Sequence, residues 1–327
     1  MKNYLVMTSI NSPTIAVEKY SAMKDWEVIV VGDKKTPVDW NYADVCYLSP
    51  QKQESLPYNM IAHAPWNLPS RVNIGYLYAM EQGATFITQS DDDNIPNEHW
   101  GVPRFQGIFK NLEHDGFINI YKYFTDKTVW PRGLPLNKIL ETPRVQENKK
   151  ECRVGVWQHL ADKDTDVDAI YRLTSNQHIY FDQNEPLVLS TGTVSPFNCQ
   201  STTFQKDVYV LMYLPTSITP RASDIVRSLI AQPIMWQHGY LTGFTPPTVT
   251  QERNPHDYLK DFENEILIYL HAEDIFRITK NSLRDGASMS ENLREAYQAL
   301  INKELVPKKE MVVLEAWIKD IERIAKQ

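Results

Sequence analysis

Glycine is scarce in this chain, at 12 of 327 residues against 20 prolines. None of the twelve builds a glycine-rich phosphate loop, a dinucleotide fingerprint or a Gly-x-Ser-x-Gly elbow, so those three routes to nucleotide or acyl chemistry are set aside. Cysteine is scarcer still. Cys46, Cys152 and Cys199 are scattered, odd in number and without metal-ligand spacing, which predicts reduced core thiols in a reducing compartment. No run reaches the roughly 18 to 20 apolar residues of a membrane span, and Met1–Tyr4 leads directly into an apolar strand. The expectation is a soluble, cytoplasmic protein with no membrane partner. An excess of basic charge is also missing: a net charge of −7 argues against strong nonspecific attraction to nucleic acid, although a local basic groove stays open. Internal repeats, low-complexity tracts and clear linkers are absent.

What is present is enough apolar material, 42% of residues, for one large α/β domain or two small ones. Tyr4 to Ile10, Thr14 to Asp25 and Glu27 to Val31 read as strand, helix, strand, a βαβ opening that ends at Gly32-Asp33. Val45 to Leu48 is a third strand. A proline-punctuated stretch then leads to a helix over Ser70 to Gln82, with Ser70 as cap and Gly83 as the left-handed stop. A strand over Thr85 to Thr88 delivers the acidic run Asp91-Asp92-Asp93-Asn94. Further on, Gly116 to Tyr123 reads as a strand, Val154 to Leu173 as short apolar pieces, and Ala222 to Gln232 as a helix. After Asp257 the chain is mostly helical.

Carboxylates leaving the end of a buried strand stand where open α/β sheets place their ligand crevices. Asp91 and Asp93, alternate residues, can project toward one divalent cation, since Mg²⁺ and Mn²⁺ take oxygen ligands and leave positions for water and phosphate. The competing reading is a solvated acidic loop. Thr8 and Asp33 end the first two strands and would open onto the same edge, suited to a base and ribose, though Gly-Asp is also an ordinary turn. Arg71, in the first turn of its helix, opposes the macrodipole and gains from an anionic partner, or is simply solvated. Arg132 sits in the stiff loop Trp130–Pro135, able to grip an anion. Asp166 and Asp168 flank Val167 on what reads as a strand, which would put both acids on one side as base and charge stabiliser. Arg221, Asp224 and Arg227 form a further cluster that a surface ion pair explains equally well. His256 can pack, face solvent or complete a metal site.

Several of these segments together resemble the STELLO family of glycosyltransferases: Val31–Pro37, Arg71 through Gly75-Tyr76 to Ala84, Asp91–Asn94, Trp130–Gly133, Asp166–Thr174, Pro196–Asn198 and Arg253–His256. The likeness runs over roughly residues 5 to 270. A more distant similarity is to the reversibly glycosylated polypeptides, the UDP-arabinopyranose mutases, through Asp91 to Asp93, Arg132–Pro135 and Asp166 to Ala169. In that family the arginine matching Arg132 is the glycosylated residue.

Both resemblances imply a GT-A fold, a Rossmann-like mixed sheet flanked by helices, over residues 1–256, with a helical C-terminal segment at 257–327 packed on it. They imply a nucleotide sugar bound through a divalent metal, and the expectation is a transferase with a UDP-sugar donor and an acceptor of unknown type, whether glycan, protein or modified nucleotide. Mn²⁺ or Mg²⁺ would rest on Asp91, Asp93 and His256. Thr8, Asp33, Arg71, Asp92 and Arg221 would hold the donor, and Asp168 or Asp224, with Asp166 in support and Arg132 facing the sugar, would carry the chemistry. The alternatives are a UDP-sugar mutase with no acceptor, a silent nucleotide-sugar-binding scaffold, and glycosylation of modified DNA bases. A homo-oligomer is compatible with any of them. The plant STELLO proteins carry a membrane anchor that is not found in this sequence, so their location is not carried over.

Overall fold

The computed structural model describes residues 2–144, 149–254 and 256–326. Its strands are β1 (Asn3–Ser9), β2 (Trp26–Gly32), β3 (Val45–Leu48), β4 (Phe86–Ser90), β5 (Asn94–Pro96), β6 (Gln106–Leu112), β7 (Gly116–Phe117), β8 (Lys149–Lys163), β9 (Leu187–Leu189), β10 (Thr193–Val194), β11 (Ser201–Gln205) and β12 (Leu241–Gln251). Ten of them form one mixed sheet in the order β3-β2-β1-β4-β11-β8-β6-β9-β12-β5, in which β8 also pairs with β12. Its helices are α1 (Ile15–Ser21), α2 (Pro50–Glu54), α3 (Val72–Glu81), α4 (Tyr121–Phe124), α5 (Ala169–Thr174), α6 (Pro220–Gln237), α7 (Tyr258–Ser282), α8 (Met289–Asn302) and α9 (Glu310–Ile324).

The first half of the sheet is parallel, and its strands are apolar on both faces because helices cover both. Tyr4 and Val6 of β1, with Ile29 and Val31 of β2, pack in the core that contains α3. Leu5, Met7, Val28 and Val30 point the other way, onto Ala16, Val17 and Tyr20 of α1. Gly75 allows α3 to lie close to the sheet: a Cβ there would stand 2.5 Å from both Val6 and Val31. β11 runs antiparallel to β4, with Ser201 opposite Ser90, so the chain before β11 returns to the same edge as the acidic run. This α/β architecture of the expected class, with a mixed sheet of Rossmann-like order and C-terminal helices, is consistent with a GT-A-like fold.

The C-terminal helices share the main apolar core with the sheet, through Ile268, Ile275, Leu293, Leu300, Leu314 and Trp317. Three buried acids reinforce the junction. Glu265 of α7 accepts from Ala169 N at the start of α5, Glu310 of α9 from Thr216 and Ser217 N, and Asp320 of α9 from Asn59 and Met60 N.

Four local expectations are corrected. Gly116 to Tyr123 is a strand only over its first two residues and then turns into α4. Val154 to Leu173 is not a set of short pieces: one 15-residue strand, β8, runs to Lys163 and α5 begins at Ala169. Ser70 caps nothing. Its hydroxyl is buried without a partner in a 3-10 turn over Pro69–Arg71, and α3 starts at Val72. Asp166-Val167-Asp168 is not a strand, because Asp168 is the N-cap of α5 and accepts from Tyr171 N.

Candidate active site

The C-terminal ends of β1, β2 and β4, the approach to β11, the end of β12 and the first turn of α6 surround a cavity of about 640 Å³. Thr8, Asp33, Asp91, Asp92, Asp93, Arg132, Asp166, Arg221, Asp224 and His256 all line it. The topology explains the convergence: parallel strands direct their C-terminal loops to one edge, and an antiparallel neighbour adds its N-terminal loop there.

Asp91 is the carboxylate left most open to a ligand. Among the described residues its side chain has no hydrogen-bond partner, while burial and the nearby Asp93, Asp92, Asp224 and Asp166 push its pKa well above the usual carboxylate range. Asp93 is pushed up to about 6 by burial and Asp92, against a lowering hydrogen bond from Gln251, whose Nε2 lies 3.2 Å from both carboxylate oxygens. Asp92 is tied to the end of β1 by Ser9 Oγ and by Asn11 Nδ2 at 3.1 Å, and Thr14 Oγ1 donates to its backbone oxygen at 2.6 Å.

Opposite the acidic run stands a saturated clamp. Arg132 Nε and Nη2 donate to the two oxygens of Asp166, both at 2.9 Å, and Nη1 and Nη2 donate to those of Asp224, both at 2.8 Å. Nη1 also donates to Arg221 O, so all five N–H groups are used. Burial alone would lower the pKa of the guanidinium, but the two carboxylates overcome it and hold it well above its ordinary value. Burial would likewise raise Asp224, yet Arg132 holds it below the usual range. Gly133, at φ +85°, sets the turn; a Cβ there would fall 2.2 Å from Ile225 Cγ2.

Two residues expected at the site lie elsewhere. Asp168 is fully buried outside the cavity, where it accepts from Trp130 Nε1 at 2.6 Å as well as capping α5. Burial pushes it up to about 6 against those two hydrogen bonds. Arg71 is also buried outside the cavity lining. It donates to Gln53 Oε1 and Ala64 O, both at 2.7 Å, and lies 3.2 Å from the centre of the Trp66 ring. It supports the loop whose Asn67, Leu68 and Pro69 line the cavity. Nor do Asp224 and Arg227 form a surface pair: Arg227 is buried and donates to Gln89 Oε1 at 2.9 Å.

His256 Nδ1 is 3.1 Å from Asp261 Oδ2, and Arg253 Nη2 reaches the same oxygen at 3.1 Å. Pro255 lies outside the described residues. Arg221 Nε donates to Glu265 Oε1 at 2.8 Å. Among the described residues no three His, Cys, Asp or Glu side chains converge as a ready-made metal cage. Two adjacent carboxylates, one of them unpartnered and crowded by like charge, nevertheless fit a hard cation that keeps water and phosphate oxygens in its other positions. Ser9, Asn11, Gln200 and Gln251 also line the cavity, and isolated uncharged polar residues near strand ends carry no signal of their own in the sequence.

Residues 221–327 match the model of the STELLO glycosyltransferases. The chain is 29% identical over 272 residues to "Probable glycosyltransferase STELLO2" of Arabidopsis thaliana, covering 76% of this chain and 35% of that protein. It is 28% identical over 270 residues to "Probable glycosyltransferase STELLO1" of the same plant, with the same coverage. The chain thus spans about a third of the length of the curated relatives it matches, and the resemblance read from its motifs is found again by both comparisons. Among the described residues no helix is long and apolar enough to cross a membrane.

Proposed function

We propose that the chain is a glycosyltransferase that takes its sugar from a nucleoside-diphosphate donor, most simply a UDP-sugar, bound across the strand-end cavity with Mg²⁺ or Mn²⁺. The observation that carries this reading is the unpartnered carboxylate of Asp91 beside Asp93, at the sheet edge where such donors bind and opposite a fixed cationic and acidic wall. Asp91 and Asp93 would hold the cation, which when bound supplies charge neutralisation at the departing diphosphate. His256 faces the same cavity but spends Nδ1 on Asp261, so a metal bond from it would use the other ring nitrogen.

Thr8 and Asp33, at the ends of β1 and β2, stand where the base and ribose would lie, with Asn67 N donating to Asp33 Oδ2 at 2.8 Å. Arg132 bridges Asp166 and Asp224, and Arg221 Nη1 lies 3.8 Å from Asp166 Oδ1, so the clamp is a charge-balanced wall held in place by its own ion pairs. Its carboxylate edges, fixed in advance, would stabilise positive charge growing on the anomeric carbon as its bond to the diphosphate breaks. Of the two residues read as the acceptor base, Asp224 lines the cavity and Asp168 does not. Arg132 and Cys199 N occupy oxygens of Asp224, which suits it to holding charge more than to taking a proton.

The mutase reading places a sugar on Arg132, and the saturation of that guanidinium speaks against it. The test is a thermal-shift screen of nucleotide sugars with Mn²⁺ and with EDTA, followed by chromatography of the products formed from any stabilising donor. A metal-dependent shift with a UDP-sugar and release of UDP onto an acceptor panel are expected. A furanose form of the intact donor without UDP release would instead establish a mutase, and binding with no turnover would establish a scaffold.

A further inference from the structure

Arg253 follows directly from the strand that braces the acidic run. Gln251, the last residue of β12, holds the Asp93 carboxylate, and Glu252 N donates to Asp93 O at 3.3 Å. The next residue is thereby delivered to the cavity wall beside Asp93. Its side chain is only 7% exposed and is anchored through Nη2 alone, which donates to Asp261 Oδ2 of α7 at 3.1 Å and lies 3.2 Å from His256 Nδ1. Nε is buried with no partner, and Nη1 makes no hydrogen bond among the described residues. A buried guanidinium with unfilled donors is costly unless something completes it. Asp93 does not: no ion pair joins the two among the described residues, although Arg253 lowers the energy of charge on Asp93 from a distance. The missing partner must be an anion that also tolerates the acidic run. An isolated carboxylate ligand would be repelled there, whereas a diphosphate can offer some oxygens to a cation on Asp91 and Asp93 and others to a guanidinium.

We infer that Arg253 is a binding residue for the terminal phosphate of a nucleoside diphosphate, and that Asp261 is the positioning residue that aims it. The inference rests on the donor reading proposed above. Asp261 lies one helical turn before Glu265, which holds Arg221 in the same way, so a pair of acids on α7 sets two cationic groups of the cavity. This gives α7 a part in the site and not only in the core.

The experiment is calorimetric titration of the full chain with UDP and with UMP in excess Mg²⁺, because only UDP carries the second phosphate. Arg253→Gln is expected to weaken UDP tenfold or more while changing UMP by less than twofold. Asp261→Asn, which keeps the shape of the side chain, is expected to give a smaller loss confined to UDP. Both variants are checked for an unaltered thermal midpoint, and a poorly folded Arg253→Gln is replaced by Arg253→Lys, for which the same UDP-selective loss is expected. Equal weakening of UMP and UDP, or unchanged UDP binding, would overturn the assignment of Arg253. A wild-type chain that binds neither nucleotide would overturn the donor reading itself, an outcome distinct from the other two.

Discussion

Arg132 and Asp166 are joined by two parallel hydrogen bonds, Nε to Oδ1 and Nη2 to Oδ2, each 2.9 Å long, and both residues are buried. With Asp224 closing the other side, the guanidinium has no free N–H and no tendency to lose its proton. A nitrogen in that state is not a nucleophile. Peptide mass spectrometry after incubation with a radiolabelled or intact UDP-sugar is therefore expected to find no sugar on Arg132. Removing the cation while leaving the carboxylates, as in Arg132→Met, should cost about 3 to 5 kcal/mol, the usual consequence of orphaning buried charges. Denaturant titration measures it, and a loss below 1 kcal/mol would show that the clamp is not structural.

Asp91 offers a prediction of opposite sign in two assays. Its carboxylate is crowded by Asp93, Asp92, Asp224 and Asp166, so without a cation it destabilises the fold. Asp91→Asn should raise the melting point in EDTA, equivalent to about 1 kcal/mol, and abolish the Mn²⁺-dependent shift with a UDP-sugar. Asp93→Asn should abolish that shift as well. Retention of a near-normal metal-dependent shift in either variant would place the cation elsewhere.

The sheet edge was legible in the sequence because it depends on local pattern. β1, β2 and β3 are short apolar runs, and the acidic run begins where β4 stops, so their side of the cavity follows from reading strands and their ends. Gly83 held as the stop after α3 for the same reason, with φ at +82°. What failed were readings that needed to know a distant partner. Arg71 has the position of a cation in search of an anion, but Gln53 and Ala64 take its Nε and Nη1 and Trp66 covers its face, leaving only Nη2 buried without a partner, through a loop fold that no spacing announces. Asp166 and Asp168 alternate as strand residues do, yet Asp168 is followed by a six-residue helix and caps it, a signal that the same letters also contain. Val154 to Leu173 reads as pieces because Asp162, Asp164, Asp166 and Asp168 interrupt it, and a continuous β8 depends on distant partners: Gln158 is satisfied by Asn198 N, Thr202 and Ser201 O, and His159 by Thr203 and Thr245.

That histidine sets an acid limit. His159 is buried between Thr245 and Thr203, with a ring nitrogen 3.0 Å from each hydroxyl, and burial pushes its pKa down to about 3. The unfolded chain takes up this proton near pH 6.5 and the folded chain does not. The contribution is therefore complete above about pH 6.5 and is lost progressively as pH falls toward 3. Urea midpoints measured at intervals from pH 7 to pH 4 should decline less steeply for His159→Gln than for the wild type. Parallel declines would show that other groups govern acid unfolding.

The C-terminal helices should prove inseparable from the site. Residues 257–327 contribute Glu265, Glu310 and Asp320, all fully buried, and each accepts from backbone N–H groups of a segment far away in sequence. A chain ending at 256 would leave those N–H groups without partners and expose the apolar residues that pack against Trp317 and Leu314. Each orphaned donor costs on the order of 1 to 3 kcal/mol, so three such junctions approach the whole stability of an ordinary domain. The truncated chain is expected to lose its cooperative thermal transition. Glu310→Gln isolates one junction in the full-length chain: it removes the charge that Thr216 and Ser217 N–H groups meet and should lower stability by about 1 to 3 kcal/mol without touching a cavity residue. A truncated chain that melts cooperatively and still binds UDP would show that the sheet and its loops form the site unaided.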